Sequence, residues 1–530
     1  MLAGEKPVHY KRYPLAEAVQ AAYLAGEEDE TLEPLVLVDG NGYPVGRIGD
    51  GDYVIFYDIR GEREVELTSA FVARDFPHFP RQPIHTHFVT MIEYAEGLVE
   101  HVAFPPVREV RNTLSEVVSA HGLRQLKISE SEKAIHVRYF LNGKRERPFP
   151  GESFVVVPSP EVENYALRPE MNAQALARAT VEALRDPQVN LIVVNFCNID
   201  VVGHIEDREA VLRAVAEVDR RIGEVVTAAL AHGVTTIVTA DHGTVEKWLY
   251  PEGTVDTGHT DSPVPFILID PALRNVILRK DGALTDVAPT ILQLLNLPQP
   301  QEMTGNSLLS DEVPSQRRRL LLVIADGWGV RDDAYGNMIL EAQTPVMERL
   351  QREWPTTRLQ AAGEAVGLPA GTVGNSEAGH IHIGAGRRIL SDRVRIDGAI
   401  ADGSFFDNEA FRWAMDGARK DGRRLHLLGI ISFYSSHGSL HHLTALMKMA
   451  HAAGVPEVYI HGMLGRRGER PGSGAIYTRQ IEQEAERLGG GMRLVSIIGR
   501  FWSLDREGNW ERIEKTYRLL VEGRGRPVKW

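Results

Sequence analysis

The sequence predicts an α/β protein built on doubly wound, largely parallel sheets. Two observations carry this expectation. Short apolar, β-branched runs alternate with segments of helical periodicity, and several of the runs end in a carboxylate, a glycine-rich turn, or both. Ligand sites of open α/β sheets lie beyond the carboxyl ends of the strands. The run at 190–196 leads to Asp200. The run at 235–240 leads to Asp241-His242-Gly243, and the run at 320–325 leads to Asp326-Gly327-Trp328-Gly329. Helices are expected at 172–184 and 208–231, where apolar residues recur every three or four positions. The polar segment 314–319, with three consecutive arginines, reads as a linker. Beyond it a second α/β region is expected, with strands at 424–432, 457–464 and 493–498.

Composition sets the limits. The 530 residues, 43% of them hydrophobic and 25% charged, are ordinary for a globular chain, and disordered, collagenous and disulfide-scaffold classes are excluded. Length alone suggests about three or four domains. The 59 Lys and Arg against 72 Asp and Glu give a formal charge of −13. That balance argues against nucleic acid or an anionic membrane as partner, since both require a basic face. The single cysteine, Cys197, has no partner for an intrachain disulfide, as expected in a reducing compartment. The polar N-terminus lacks the apolar centre of a signal peptide and the apolar runs are strand-sized. A cytoplasmic location is expected.

Several residues are suited to chemistry. Asp200 and His204 are four positions apart, a spacing that on a helix puts both on one face. Asp241-His242 ends a strand, and His259 lies in a loop. Taken singly, each has a plainer reading as a helix face, a turn or a loop histidine. Together they supply mixed oxygen and nitrogen donors of the kind that bind manganese or zinc. The run Gly371-Thr-Val-Gly-Asn-Ser376-Glu-Ala-Gly-His380 is either a helix cap in a glycine-rich turn or a nucleophilic serine at a helix start. In the second case the backbone amides favour an incoming phosphate, and metal coordination activates the hydroxyl.

At these residues the sequence resembles cofactor-independent phosphoglycerate mutase, of the alkaline phosphatase superfamily. The resemblance rests on Leu321-Leu-Val-Ile-Ala-Asp-Gly-Trp-Gly, Gly374-Asn-Ser-Glu-Ala-Gly-His and Thr239-Ala-Asp-His-Gly. It extends to Val102-Ala-Phe-Pro-Pro and Trp510-Glu-Arg-Ile-Glu-Lys. It implies two domains: an alkaline-phosphatase-like doubly wound sheet and a smaller α/β transferase domain. It also implies two divalent ions, manganese first and zinc second, with no organic cofactor. Asp326, Ser376, Asp241 and His242 would hold one ion, and Asp200, His204 and His259 the other. Ser376 would be the phosphorylated nucleophile. His437, Arg467, Arg500, Arg506, Arg60, Arg63 and Lys133 would bind a small phosphorylated or phosphonylated carboxylic acid, for which bidentate arginines are suited. A monomer is expected.

The order of blocks departs from that family, in which the Asp-Gly-Trp-Gly strand opens the chain. A circular permutation is therefore expected. Residues 1–106 and 396–530 would complete the transferase domain around a metal-binding domain at 107–395, and Met1 would lie near Trp530. Hinges are expected near 105–110 and 390–397. The acceptor side departs too. Phe433-Tyr-Ser-Ser-His437-Gly-Ser replaces a family Asp-Gly-Gly-Val-His-Ser-His. Arg60-Gly-Glu-Arg63-Glu-Val replaces Arg-Pro-Asp-Arg-Ala-Arg, and Gly468 stands where the family has an Asp that assists proton transfer. Glu469 and His441 are candidate replacements. The activity implied is interconversion of 3- and 2-phosphoglycerate. The alternatives are a specialised phosphoryl or phosphonyl transferase, for example in phosphonate biosynthesis, and a phosphatase.

Overall fold

The computed structural model describes residues 12–309, 313–433, 435–465, 470 and 472–530. They form two compact units: residues up to Pro106 with Arg395–Trp530, and Val107–Val394. Each has its own eight-stranded sheet and its own apolar core. Among the described residues no helix is long and apolar enough to cross a membrane. Met1 lies outside them.

In the unit Val107–Val394 the sheet runs Gly282–Ala283, Thr356–Gln360, Val264–Ile269, Thr235–Thr239, Leu320–Ala325, Val189–Phe196, Arg124–Glu130, Glu152–Val157. The last five strands are mutually parallel, and Val264–Ile269 runs against both of its neighbours. Leu320–Ala325 is central and buried at every position. It therefore reads as an unbroken apolar run, because a parallel strand covered on both faces has no solvent side. The helix Arg208–Ala231 is capped by Asp207, whose side chain accepts from the Ala210 amide at 3.0 Å. It stops at His232, followed by Gly233 in the left-handed region (φ 64°), the usual glycine stop.

The other unit's sheet runs Arg526–Lys529, Leu35–Val38, Met492–Gly499, Val458–Leu464, Leu425–Ile430, Tyr53–Phe56, His87–Ile92, His101–Phe104. Strands from both ends of the chain thus share one sheet. Leu35–Val38 pairs parallel with Arg526–Lys529 and antiparallel with Met492–Gly499.

The segment 314–319, expected to be a linker, is anchored within the first of these sheets' domains. The Arg318 amide donates to the Leu294 carbonyl at 3.1 Å. The Arg319 guanidinium caps the carbonyls of Leu184, Asp186 and Val189 at 3.1, 2.7 and 3.0 Å. Arg318 and Arg319 thus bond backbone carbonyls while Arg317 is exposed, a difference composition alone does not show.

The strand Arg124–Glu130 carries a buried charge. The Lys127 ammonium donates to Ser115 Oγ at 2.6 Å and to Asn142 and Glu152, and the Lys127 and Glu152 side chains are 1% and 0% exposed. Burial pushes Lys127 below its usual pKa despite Glu152. Removing one partner of such a pair strands the other charge. Lys127→Met is expected to destabilise this unit by about 3–5 kcal/mol, and adding Glu152→Leu should restore a large part of it. Urea midpoints of the two variants check this, and equal midpoints would contradict it.

Candidate active site

Four adjacent parallel strands of the Val107–Val394 unit deliver their next residues to one edge of the sheet. Asp326 follows Leu320–Ala325, and Asp241-His242 follow Thr235–Thr239. Asp200 lies in the short helix Asn198–Gly203 after Val189–Phe196, and Lys133 ends the turn after Arg124–Glu130. Asp326, Asp241 and His242 are fully buried, Asp200 is 5% exposed and Lys133 4%. The turn after Asp326 requires glycine. Gly327 has φ 88°, and a Cβ there would meet the Asp200 amide nitrogen at 2.8 Å. This closeness lets the Asp200 amide donate to the Asp326 carbonyl, tying the two strand ends together.

Ser376 is the first residue of the helix Ser376–Ala385, capped by Asn375. Its hydroxyl oxygen lies 2.6 Å from Lys133 Nζ, 2.9 Å from His242 Nε2 and 3.4 Å from Asp326 Oδ1. Lys133 Nζ also donates to Asp200 Oδ2 at 2.7 Å and Asp326 Oδ1 at 3.1 Å. Lys133, expected with the substrate-binding arginines, thus sits at the serine and the carboxylates.

The second expected ligand group is also brought together. His259 Nε2 and His204 Nε2 lie 3.0 and 3.3 Å from Asp200 Oδ1 and 3.1 Å from each other. The Nδ1 atoms of His204 and His259 face the carbonyls of Thr257 and Gly374 at 2.7 and 3.1 Å. A carbonyl only accepts, so each Nδ1 carries a proton and Nε2 is the ring atom turned toward Asp200. Two imidazole Nε2 atoms converging with a carboxylate oxygen are a fitting donor set for a cation. Carbonyl partners on the far ring nitrogen are the usual orienting groups of histidine ligands.

The electrostatics agree. Burial opposes charge on His242, yet Asp241 and Asp200 raise its pKa to about 10. Burial likewise opposes charge on Lys133, but Asp326, Asp200 and Asp241 hold its pKa above the ordinary lysine value. Three buried carboxylates thus hold two buried cations among them, His242 and Lys133. Asp241 Oδ2 is buried and accepts no well-formed hydrogen bond, so its nearest neighbours are ring nitrogens, His380 Nδ1 at 3.3 Å and His242 Nε2 at 3.5 Å.

Two contributors escaped the sequence reading. His380 Nδ1 lies 3.3 Å from Asp241 Oδ2 and 2.8 Å from the Ser376 carbonyl. Asn195 Nδ2 donates to Asp326 Oδ2 at 2.8 Å and approaches His380 Nε2 at 3.0 Å. Helical spacing was the available signal for His380, four positions after Ser376. Asn195 sits within an apolar strand and gives no such signal.

In the other unit, Arg60, Arg63, His437, Arg500 and Arg506 line one pocket of about 400 Å³. Arg512, unforeseen, joins them. Arg500 Nη2 bonds Glu30 at 3.0 Å, Arg512 Nη1 bonds Asp505 at 3.2 Å, and Arg506 pairs with Glu62. Arg467 and Glu469 lie outside the described residues. His441 is exposed in the first turn of Leu440–Ala452.

Residues 41–299 match the model of the Metalloenzyme superfamily, and residues 396–529 match that of the BPG-independent PGAM N-terminus. A 2,3-bisphosphoglycerate-independent phosphoglycerate mutase of Desulforudis audaxviator is 43% identical over 296 residues, 56% of this chain and 57% of that protein. One from Thermomicrobium roseum is 46% identical over 306 residues, 56% of this chain and 58% of that protein. The chain thus spans a little under three fifths of the length of these curated relatives. A crystal structure of Leishmania mexicana phosphoglycerate mutase at low cobalt concentration is 31% identical, covering 52% of this chain and 53% of that one, with a TM-score of 0.37. Residues 41–299 thus resemble the metalloenzyme superfamily, and residues 396–529 the domain named for the N-terminus of the BPG-independent mutases.

Proposed function

We propose that the protein is a metal-dependent phosphoryl-transfer enzyme that interconverts 3-phosphoglycerate and 2-phosphoglycerate through a phosphoserine at Ser376. The observation that carries this reading is the convergence of Lys133 Nζ and His242 Nε2 on the Ser376 hydroxyl, at 2.6 and 2.9 Å, beside three buried carboxylates. Two divalent ions, manganese in the first instance and zinc in the second, would be held by Asp326, Ser376, Asp241 and His242, and by Asp200, His204 and His259. Bound there, they would supply Lewis acidity, lowering the serine pKa and offsetting phosphoryl charge. Lys133 keeps a positive charge against the serine oxygen, and the first amides of Ser376–Ala385 face an arriving phosphoryl group. The arginine pocket supports recognition of a small acid carrying carboxylate and phosphoryl groups. Phosphate moves from one glycerate hydroxyl to Ser376 and returns to the other.

A specialised transferase that keeps a glycerate-type acceptor and takes another phosphoryl or phosphonyl donor is the second reading. It is favoured by one feature, the glycine at 468 where the mutases have an acid–base aspartate.

We also infer that the segment order is a circular permutation. Support comes from the position of the match to a domain named as an N-terminus, at 396–529, and from the pairing of Leu35–Val38 with Arg526–Lys529 in one sheet.

Incubation with 3-phosphoglycerate and Mn²⁺, followed by phosphorus NMR, is expected to yield the 2-isomer. Free phosphate would identify a phosphatase, and absence of turnover would favour the altered-donor transferase. Ser376→Ala should abolish the reaction by at least about 10⁴-fold, the scale seen when a nucleophile is removed. Chelation should do the same, reversed by Mn²⁺. A chain joined from residue 530 to residue 1 and reopened within 303–319, the segment that leads into the Asp-Gly-Trp-Gly strand with which the family's chains open, should fold and retain activity. Failure of that chain to fold would count against the permutation.

A further inference from the structure

The arginine pocket contains a buried acid–imidazole device. His437 is 2% exposed and lines the pocket, and its Nδ1 lies 2.7 Å from Glu64 Oε1. Glu64 is itself fully buried, with Oε2 accepting from the Arg63 amide at 3.2 Å. Behind it lies Asp58, also fully buried. One ligand atom each from Asp58, Glu64 and His437 falls within 4.8 Å of the others.

Two adjacent buried carboxylates do not both ionise. Burial first, and Glu64 next, raise Asp58 well above the usual carboxylate range, so Asp58 is the carboxyl that favours its proton, and Glu64 is the one whose Oε1 meets the imidazole. Asp58 is fixed by the Ile430 amide, which donates to Oδ1 at 2.8 Å. The His437 loop is fixed in turn. The Ile59 amide donates to the His437 carbonyl at 2.6 Å, and the His437 and Gly438 amides donate to Ser435 Oγ at 3.1 Å each.

This arrangement answers a chemical need of the pocket. Guanidinium groups bind anions but do not exchange protons near neutral pH. The pocket's carboxylates are committed: Glu30 to Arg500, and Asp505 to Arg512, Asn509 and the Glu507 amide. Among the described residues that line the pocket, the imidazole of His437 remains.

We propose that His437 is the acid–base group of the arginine pocket, with Glu64 and Asp58 as its positioning residues. The inference rests on the phosphoryl-transfer reading above. Glu64 holds the Nδ1–H tautomer, so Nε2 is the basic atom. The proton of a substrate hydroxyl passes to Nε2 as that oxygen bonds to phosphorus and the bond from phosphorus to the donor oxygen breaks. In the opposite direction Nε2–H protonates the departing oxygen. Nothing is oxidised or reduced. Glu64 offsets the transient imidazolium charge. Neither Glu469 nor His441 is needed for the task.

The experiment uses the full chain and its Glu64→Gln variant. With 3-phosphoglycerate, the variant should lose about 10²–10⁴-fold in kcat, the range for general acid–base catalysis, with KM changed by less than about threefold. His437→Ala should lose as much and recover at least about tenfold with added imidazole, and the double variant should be no slower than His437→Ala alone. Nitrogen NMR should show the Nδ1–H tautomer of His437 in the parent and a mixture in Glu64→Gln. An unchanged kcat, an effect confined to KM, or an unchanged tautomer would overturn the proposal. So would a divalent ion bound in place of the Nδ1 proton. A parent enzyme that leaves phosphoglycerate unaltered would refute the functional reading instead, and the tautomer comparison would still decide the role of Glu64.

Discussion

The constraint on which the Val107–Val394 unit turns is the burial of Asp200, Asp241 and Asp326 at one edge of its sheet. Removing a carboxylate from water costs several kcal/mol unless it is paired. Here Lys133 and the surrounding imidazoles supply only part of the positive charge. The strand ends cannot relax to relieve the rest. The Asp326 amide donates to the Phe196 carbonyl, the Asp200 amide to the Asp326 carbonyl, and Gly327 leaves no space between them. The sheet thus holds open a deficit of positive charge that a divalent cation fits. Site and fold stand in one energetic relation: the apolar core stabilises what the site destabilises.

The same construction recurs in the other unit with a different outcome. Asp58 follows Tyr53–Phe56, His437 follows Leu425–Ile430, and Arg500 follows Met492–Gly499, all at carboxyl ends of parallel strands. Here, however, Asp58 and Glu64 meet no buried lysine. Protonation of Asp58, rather than a cation, removes the excess charge. Where a strong opposite charge is present the carboxylates stay ionised. Where it is absent, one keeps its proton and the other orients a histidine.

Legibility in the sequence followed the physics of each element. Leu320–Ala325, Val189–Phe196 and Thr235–Thr239 were readable because buried parallel strands are continuous apolar runs. Their terminal aspartates were readable for the same reason. Asp200, His204 and His259 were individually ambiguous and became a site only as a set. The position of Lys133 among the carboxylates was not readable, since the turn that carries it says nothing of what it faces. Asn195 and Glu64 were hidden too. Each is a polar residue whose partner lies 131 or 373 positions away, and no local pattern encodes such a contact. The arginines at 317–319 misled through composition: charge in sequence says nothing about whether carbonyls wait to be capped.

The proposed change of segment order falls where the sheet best bears it. Arg526–Lys529 is an edge strand, and Leu35–Val38, beside it, runs antiparallel to Met492–Gly499. A chain end at an edge disturbs one ladder, whereas an end inside the parallel core would break two ladders and a crossover. The strands that position His437, Asp58 and Arg500 lie inward of that edge, each paired on both sides. On that reading the geometry of the pocket would be set by strand pairing rather than by the order in which the strands are connected.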